Sequence, residues 1–364
     1  MAGADDPDAQ RDPTSAGDGD AWFLRQPPED AAWDMPGPRA ELRPDGPRAE
    51  AWIAAQARCA VPLARAAAAF GALDEALRQG GAGLRRRVVL MEVAELSWHL
   101  GDRVPVDRLG LYLAARLSTA ADDARALMRA GWAVRRLSGG GQGPLGSGDA
   151  AAAGALADFL GRRIGGDPAA DADPAGSPRG EEFRLLSEDW ARAVLEAEAL
   201  HPAARACFAR AAWEAADVSG DDTGLEGAVV AARLGADGAR GGATFLPVAL
   251  GGPGAFEGRG DAQERLEAWL ASVERACLRA LMEADRLSAW TARAREAISD
   301  LSGRTPPRII AALSAWPLAS APMLEAETGA SRAAVQRNMK TFEERGLVHE
   351  VTGQERFRFW RARL

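Results

Sequence analysis

The residues best equipped for chemistry lie near the C-terminus, where Gln336, Arg337 and Lys340 follow Arg332 at offsets of four, five and eight positions. On an α-helix those offsets place long hydrogen-bond donors on one side, because residues three and four apart share a face. A donor face of this kind can bond base edges in the major groove of duplex DNA, while its cationic groups neutralise phosphates. Ser331 directly precedes the run and is a residue type that caps helix N-termini. Arg356, Arg358, Arg361 and Arg363 follow it, all long enough to reach phosphates.

The elements that must hold these residues are legible. Pro306-Pro307 opens a helix from Arg308 to Ala315, and Trp316-Pro317 stops it. Ser320 caps a second helix containing Met323, Leu324 and Glu325, which ends at Gly329. Ser331 then caps a third, with Val335, Met339 and Phe342 inward and Gly346 as its stop. Leu347 to Val351 reads as a strand, Thr352-Gly353-Gln354 as a turn, and Arg356 to Trp360 as a returning strand with Phe357 and Phe359 on one face. Three helices and a two-stranded hairpin in this order predict a winged helix-turn-helix over 304–364. Residues 301–364 carry ten basic and six acidic side chains, a local excess of positive charge.

The whole chain, by contrast, has 364 residues and a formal charge of -8. Residues 1–30 hold eight acidic side chains against Arg11 and Arg25, so most of that charge belongs to one tail. Residues 1–48, rich in Pro and Gly, are expected to be a disordered acidic tail, with Trp22, Phe23 and Trp33 as loose aromatics. Lys340 is the only lysine, an arginine bias attributed to codon usage. Apolar residues recur at three- and four-residue spacing through 49–138, as in Val89, Val93, Leu96 and Leu100, and again through 181–303. Leu266, Leu270, Val273, Cys277, Leu281 and Leu287 stripe one long helix from Asp261 to Leu301. Between these helical domains, 139–180 reads as a Gly/Ala/Pro-rich linker in which only Ala151 to Ile164 has helical character. The fold class expected is mainly α: a helical body followed by the winged helix-turn-helix.

Other chemistries find little support. Cys59, Cys207 and Cys277 are odd in number and far apart, which disfavours disulfides and zinc, and three histidines leave no compact metal set. The glycines from Gly139 to Gly146 lack the Lys-Ser/Thr of a phosphate loop. His201-Pro202 is expected to start a helix, Arg85-Arg86-Arg87 to form a solvated face, and Trp98 and His99 to be helix core and edge. No cofactor or metal is expected. With no membrane-length apolar run or signal core, a cytoplasmic protein is expected.

The stretch from Arg87 to Ser138, with RVVLMEVAELSWHLGDRVPVDRLGLYLAARLS and WAVRRL, and the stretch from Ala243 to the end, in particular PRIIAALSAWPLASAPMLEAETGASRAAVQRNMKTFEERGLVHEVTGQERFRFW, resemble a family of α-proteobacterial proteins abundant on rhizobial plasmids. That family pairs a domain of unknown function with a C-terminal helix-turn-helix DNA-binding domain. A fainter resemblance joins WEAADVSGDDTGLEGAVVAARL to the nucleotidyl-transfer loop of the Fic fold. There Asp217 would replace the catalytic His, Leu225 the loop arginine, and only Gly224 of the Gly-Asn-Gly core remains; the inhibitory-helix glutamate is also absent near Ser97 to Gly101. The resemblance thus implies a Fic-like body without enzymatic activity.

The sequence therefore predicts a transcriptional regulator that binds duplex DNA through Ser331, Arg332, Gln336, Arg337, Lys340, Arg356, Arg358 and Arg361, with a helical body that dimerises or senses a partner. The alternative is an inactive Fic-like scaffold whose winged helix binds protein.

Overall fold

A computed structural model describes residues 46–115, 121–139, 143–145, 149–162, 178–220, 224–351 and 358–364. The expected tail before residue 46, the Thr352-Gly353-Gln354 turn, Arg356, Phe357 and much of the expected linker lie outside the described residues. The chain divides into two units, Met1–Arg43 and Pro44–Leu364, and every element below belongs to the second.

The body begins with α1 (Ala49–Arg58) and α2 (Ala60–His99), separated at Cys59, so Pro62 sits in the first turn of α2, where a missing N–H costs nothing. The helix expected from Arg86 is the second half of α2, which breaks at Gly81, where φ of 72° is open to glycine at no steric cost. Then come α3 (Val106–Ala115), α4 (Ala121–Leu137), α5 (Asp149–Leu160), α6 (Gly180–Glu196), α7 (Pro202–Ala216) and α8 (Leu225–Gly235). α5 falls inside the expected linker: Leu156, Phe159 and Leu160 are buried, α5 packs against α6, and its alanine run is the strongest helix-forming composition available.

The last body helix, α9 (Ala262–Ala297), starts at a capping box in which Asp261 accepts from the Glu264 N–H and Glu264 accepts from the Asp261 N–H. Leu266, Leu270, Val273 and Cys277 are buried as the stripe requires, while Leu281 is half-buried. α9 packs along α2 to form the axis of the body. Its buried Trp269 and Trp290 donate their indole N–H groups to the carbonyls of Ala203 (3.0 Å) and Leu347 (2.8 Å), so neither of these two dipoles is stranded.

Two buried carboxylates fasten the segment between α8 and α9 onto α2. Asp74 accepts from the backbone N–H groups of Arg240, Gly242 and Ala243 at 2.6–2.9 Å, and Glu92 accepts from Val248, Ala249 and Leu250 at 2.7–3.0 Å. Burial pushes the Glu92 carboxyl above the ordinary carboxylate range, and the three N–H groups oppose that shift. Close approach requires glycine at Gly242, because a Cβ there would overlap the Asp74 carbonyl oxygen.

The C-terminal elements are α10 (Thr305–Ala315), β1 (Ala319–Ser320), α11 (Ala321–Thr328), α12 (Arg332–Glu344), β2 (Val348–Glu350) and β3 (Phe359–Ala362). The strands form an antiparallel sheet in the order β1-β3-β2, with Ala319 opposite Trp360, Val348 opposite Ala362 and His349 opposite Arg361. The returning strand thus lies later than the Arg356–Trp360 segment expected, and the short β1 is an addition to the expected elements. Trp360 and Ala362 alternate as the buried positions of β3, which fixes the register by burying one face. The described chain is mainly helical, with this small sheet near its C-terminus, and no described helix is long and apolar enough to cross a membrane.

Candidate nucleic-acid interface

α12 is positioned by its two ends and one face. Ser320 and Ser331 accept from the backbone N–H groups of Met323 and Ala334, each at 3.4 Å, so both serines cap the helices expected of them. Between α11 and α12, Gly329 takes a left-handed φ of 66° and makes the turn tight. Val335, Met339 and Phe342 are buried beneath α12, as their spacing demands.

The opposite face is the donor face. Arg332, Gln336, Arg337 and Lys340 are all exposed, together with Ser331. Arg332 and Lys340 approach Glu325 and Glu344 only at 3.9 Å, with the Lys340 side chain 79% exposed. Pairs that long and that wet contribute about 0–1 kcal/mol and leave the donors available. The side chains of Gln336 and Arg337 have no partner among the described residues.

β3 divides the remaining cations. Arg358 lies between Glu343 of α12 (3.0 Å) and Glu350 of β2 (3.9 Å) and stacks on Trp360, so its guanidinium is already engaged beside the donor face. Arg361, three positions on, has the opposite strand parity and turns to the body, where it pairs with Asp107 at the start of α3. Arg361 therefore does not stand with the α12 cluster, and Arg356 lies outside the described residues.

The Arg85–Arg87 run is not the solvated face expected. Arg85 donates to the Leu77 carbonyl, and Arg86 reaches Glu327 of α11 and stacks over Trp316 at 4.7 Å. Arg87 is buried, pairs with Glu283 of α9 at 2.7 Å and donates to the Leu313 carbonyl of α10. Arg86 and Arg87 tie α2 to the C-terminal elements, while Arg85 bonds within α2. Sequence could not show it, since Glu283 lies 196 positions away.

The other residues singled out have structural partners or positions of their own. His201 is the N-cap of α7 and accepts from the Ala203 N–H at 3.2 Å, as expected of a helix-start histidine. Trp98 is exposed, not core, while His99 bonds the Ala249 carbonyl at 3.0 Å. In the loop compared with Fic enzymes, Asp217 ends α7 in a left-handed conformation, Gly224 begins α8 and Leu225 is buried. All three cysteines are buried and unpaired, and burial pushes the Cys207 thiol up to about 12. No group of metal-ligating side chains occurs among the described residues.

No protein-family model matches this chain, and no curated protein matches it.

Proposed function

We propose that the C-terminal elements are a winged helix-turn-helix, that α12 enters the major groove of duplex DNA, and that the protein is a DNA-binding transcriptional regulator. The observation that carries this reading is the capped α12, with Arg332, Gln336, Arg337 and Lys340 exposed and free of strong partners. In such a module the second helix of the turn carries base-reading side chains into the groove, and the hairpin beside it supplies phosphate contacts. Leu278 and Met282, exposed one turn apart on α9, supply a surface for a second copy, which would space two half-sites by whole turns of DNA.

One observation favours a second reading, a scaffold that binds protein. Glu343 already holds Arg358, and the exposed Glu344 stands beside Lys340, which weakens the field presented to phosphates. Selection from a randomised duplex pool with the full chain separates the two. Enrichment of a sequence motif supports the DNA reading, and recovery of an unenriched pool overturns it.

A further inference from the structure

A cleft of about 990 Å³ lies between the helical body and the sheet, and no residue of α12 lines it. Body residues lining it include Met91, Glu95 and Trp98 of α2, Asp107 of α3, and Arg279 and Glu283 of α9; the sheet side supplies His349, Arg361 and Arg363. His349 and Arg361 are cross-strand neighbours, and Arg363 continues the same strand parity, so these three project from one face of the sheet. The volume is at the upper end of the range that encloses small organic ligands.

The hydrogen-bonding state of the lining is lopsided. Each of its carboxylate side chains already carries a guanidinium: Glu283 takes Arg87 at 2.7 Å, Glu95 takes Arg279 at 2.7 Å, and Asp107 takes Arg361. The donors are not all engaged. Arg363 uses only its backbone, its carbonyl accepting from Arg293 and its N–H donating to the Leu347 carbonyl, and neither its guanidinium nor the His349 ring has a partner among the described residues. In the Arg361–Asp107 pair, Asp107 Oδ1 is buried with no hydrogen-bond partner, an acceptor that takes a hydroxyl or N–H donor. A ligand that fits this lining supplies an anionic acceptor for Arg363 and His349 and can offer a neutral donor to Asp107. Beside these donors Trp98 is 55% exposed, with the Arg103 guanidinium 5.5 Å from its ring centroid and Met91 half-buried nearby, and the rest of the indole is a surface for a flat apolar body.

We propose that the cleft binds a small anionic ligand with an aromatic body, its carboxylate or phosphate held by Arg361, Arg363 and His349 and its ring against Trp98 and Met91. Through this site the ligand acts as an effector of DNA binding. It would touch the body and the sheet together, and the sheet's other face holds α12 through Arg358 and Glu343. A ligand that favours one arrangement of sheet and body changes DNA affinity, and DNA changes ligand affinity by the same factor. The effector role, but not the binding site, rests on the DNA reading above.

Titration calorimetry on the full chain tests the site with 2-naphthoate, phenyl phosphate and naphthylmethylammonium as probes. Saturable binding of one anion per chain is expected, with naphthoate or phenyl phosphate preferred according to which anion the donors fit, and no binding of the cation. Arg363→Ala, an exposed change that leaves folding intact, should weaken the anion by about tenfold, as removal of one charge-assisted hydrogen bond does. Arg361→Ala should do the same, and Trp98→Ala should weaken the aromatic anions but not acetate or inorganic phosphate. Absence of saturable anion binding, or affinity unchanged in Arg363→Ala with circular dichroism confirming the fold, overturns the proposal. Saturable binding with no change in duplex affinity keeps the site and removes the effector role; failure of duplex binding alone removes only the reading on which that role rests.

Discussion

Arg85, Arg86 and Arg87 on α2 and Arg332, Arg337 and Lys340 on α12 are both runs of cations on helices, and they differ in what meets them. On α2 each guanidinium has a partner: a carbonyl for Arg85, Glu327 and the Trp316 ring for Arg86, Glu283 and the Leu313 carbonyl for Arg87. On α12 the cations face solvent, and the two carboxylates near them stand at 3.9 Å. A cation with a buried partner is part of the packing. One kept exposed on a rigid helix, with its donors unengaged, is available to a ligand. The same residue type thus serves attachment in one place and stays free of strong partners in the other.

That contrast can be broken most forcefully at Arg87. Replacing it with alanine leaves Glu283, whose side chain is 12% exposed at the cleft, without its partner, and urea unfolding should show a loss of about 1–3 kcal/mol. The double change Arg87→Met with Glu283→Leu should restore most of it, since an apolar pair of similar size avoids the desolvation of both charges. A loss below about 1 kcal/mol in the single variant would mean that packing, not the pair, attaches α10 to α2.

On α12 the pattern should invert. Arg337→Ala with Lys340→Ala should leave stability within about 0.5 kcal/mol, as exposed changes do. Duplex affinity measured by fluorescence anisotropy should fall by about 1–3 kcal/mol for each side chain that reads a base, and its salt dependence should become shallower for each one that neutralises a phosphate. A destabilised but fully binding double variant would reverse the roles assigned to the two runs.

Ser331→Ala probes the support beneath the donor face. Loss of the cap should cost about 1 kcal/mol in chemical denaturation, with a smaller effect on DNA affinity than the double variant. A pH-dependent effect is expected at Glu92, which represents burial without a cationic partner. Its native pKa is raised by burial, so the folded chain holds that proton to higher pH than the unfolded chain does. Its contribution to stability is then greatest below the ordinary glutamate pKa and falls as pH rises through the raised one. In Glu92→Gln that fall is absent, so the stability gap between parent and variant should narrow with rising pH; a widening gap would contradict the assignment.

Much of the C-terminal architecture is legible in the sequence because its signals are local. Ser320 and Ser331 cap, Gly329 turns, and Val335, Met339 and Phe342 mark the buried face within a few residues of one another. The strand boundary is less legible, since Arg356 to Trp360 and Phe359 to Ala362 both alternate, and only pairing with β1 and β2 selects the second. Placing that strand late is what separates Arg358 from Arg361. The partners of Arg87 and Arg361 are illegible, because Glu283 and Asp107 are 196 and 254 positions distant. Nor does periodicity mark Asp74 and Glu92, polar residues inside α2 whose partners are backbone N–H groups of a remote loop.

Whether α12 is a DNA-reading face is tested most directly by the salt dependence of duplex binding, measured on the full chain and on its Arg337→Ala, Lys340→Ala variant. A reading face of this kind predicts affinity that falls linearly in log–log form with salt for the parent, and a variant that binds more weakly with a slope reduced by about 1 for each phosphate no longer neutralised. Parent and variant binding with the same affinity and slope, or no duplex binding at low salt by the folded parent, would contradict it.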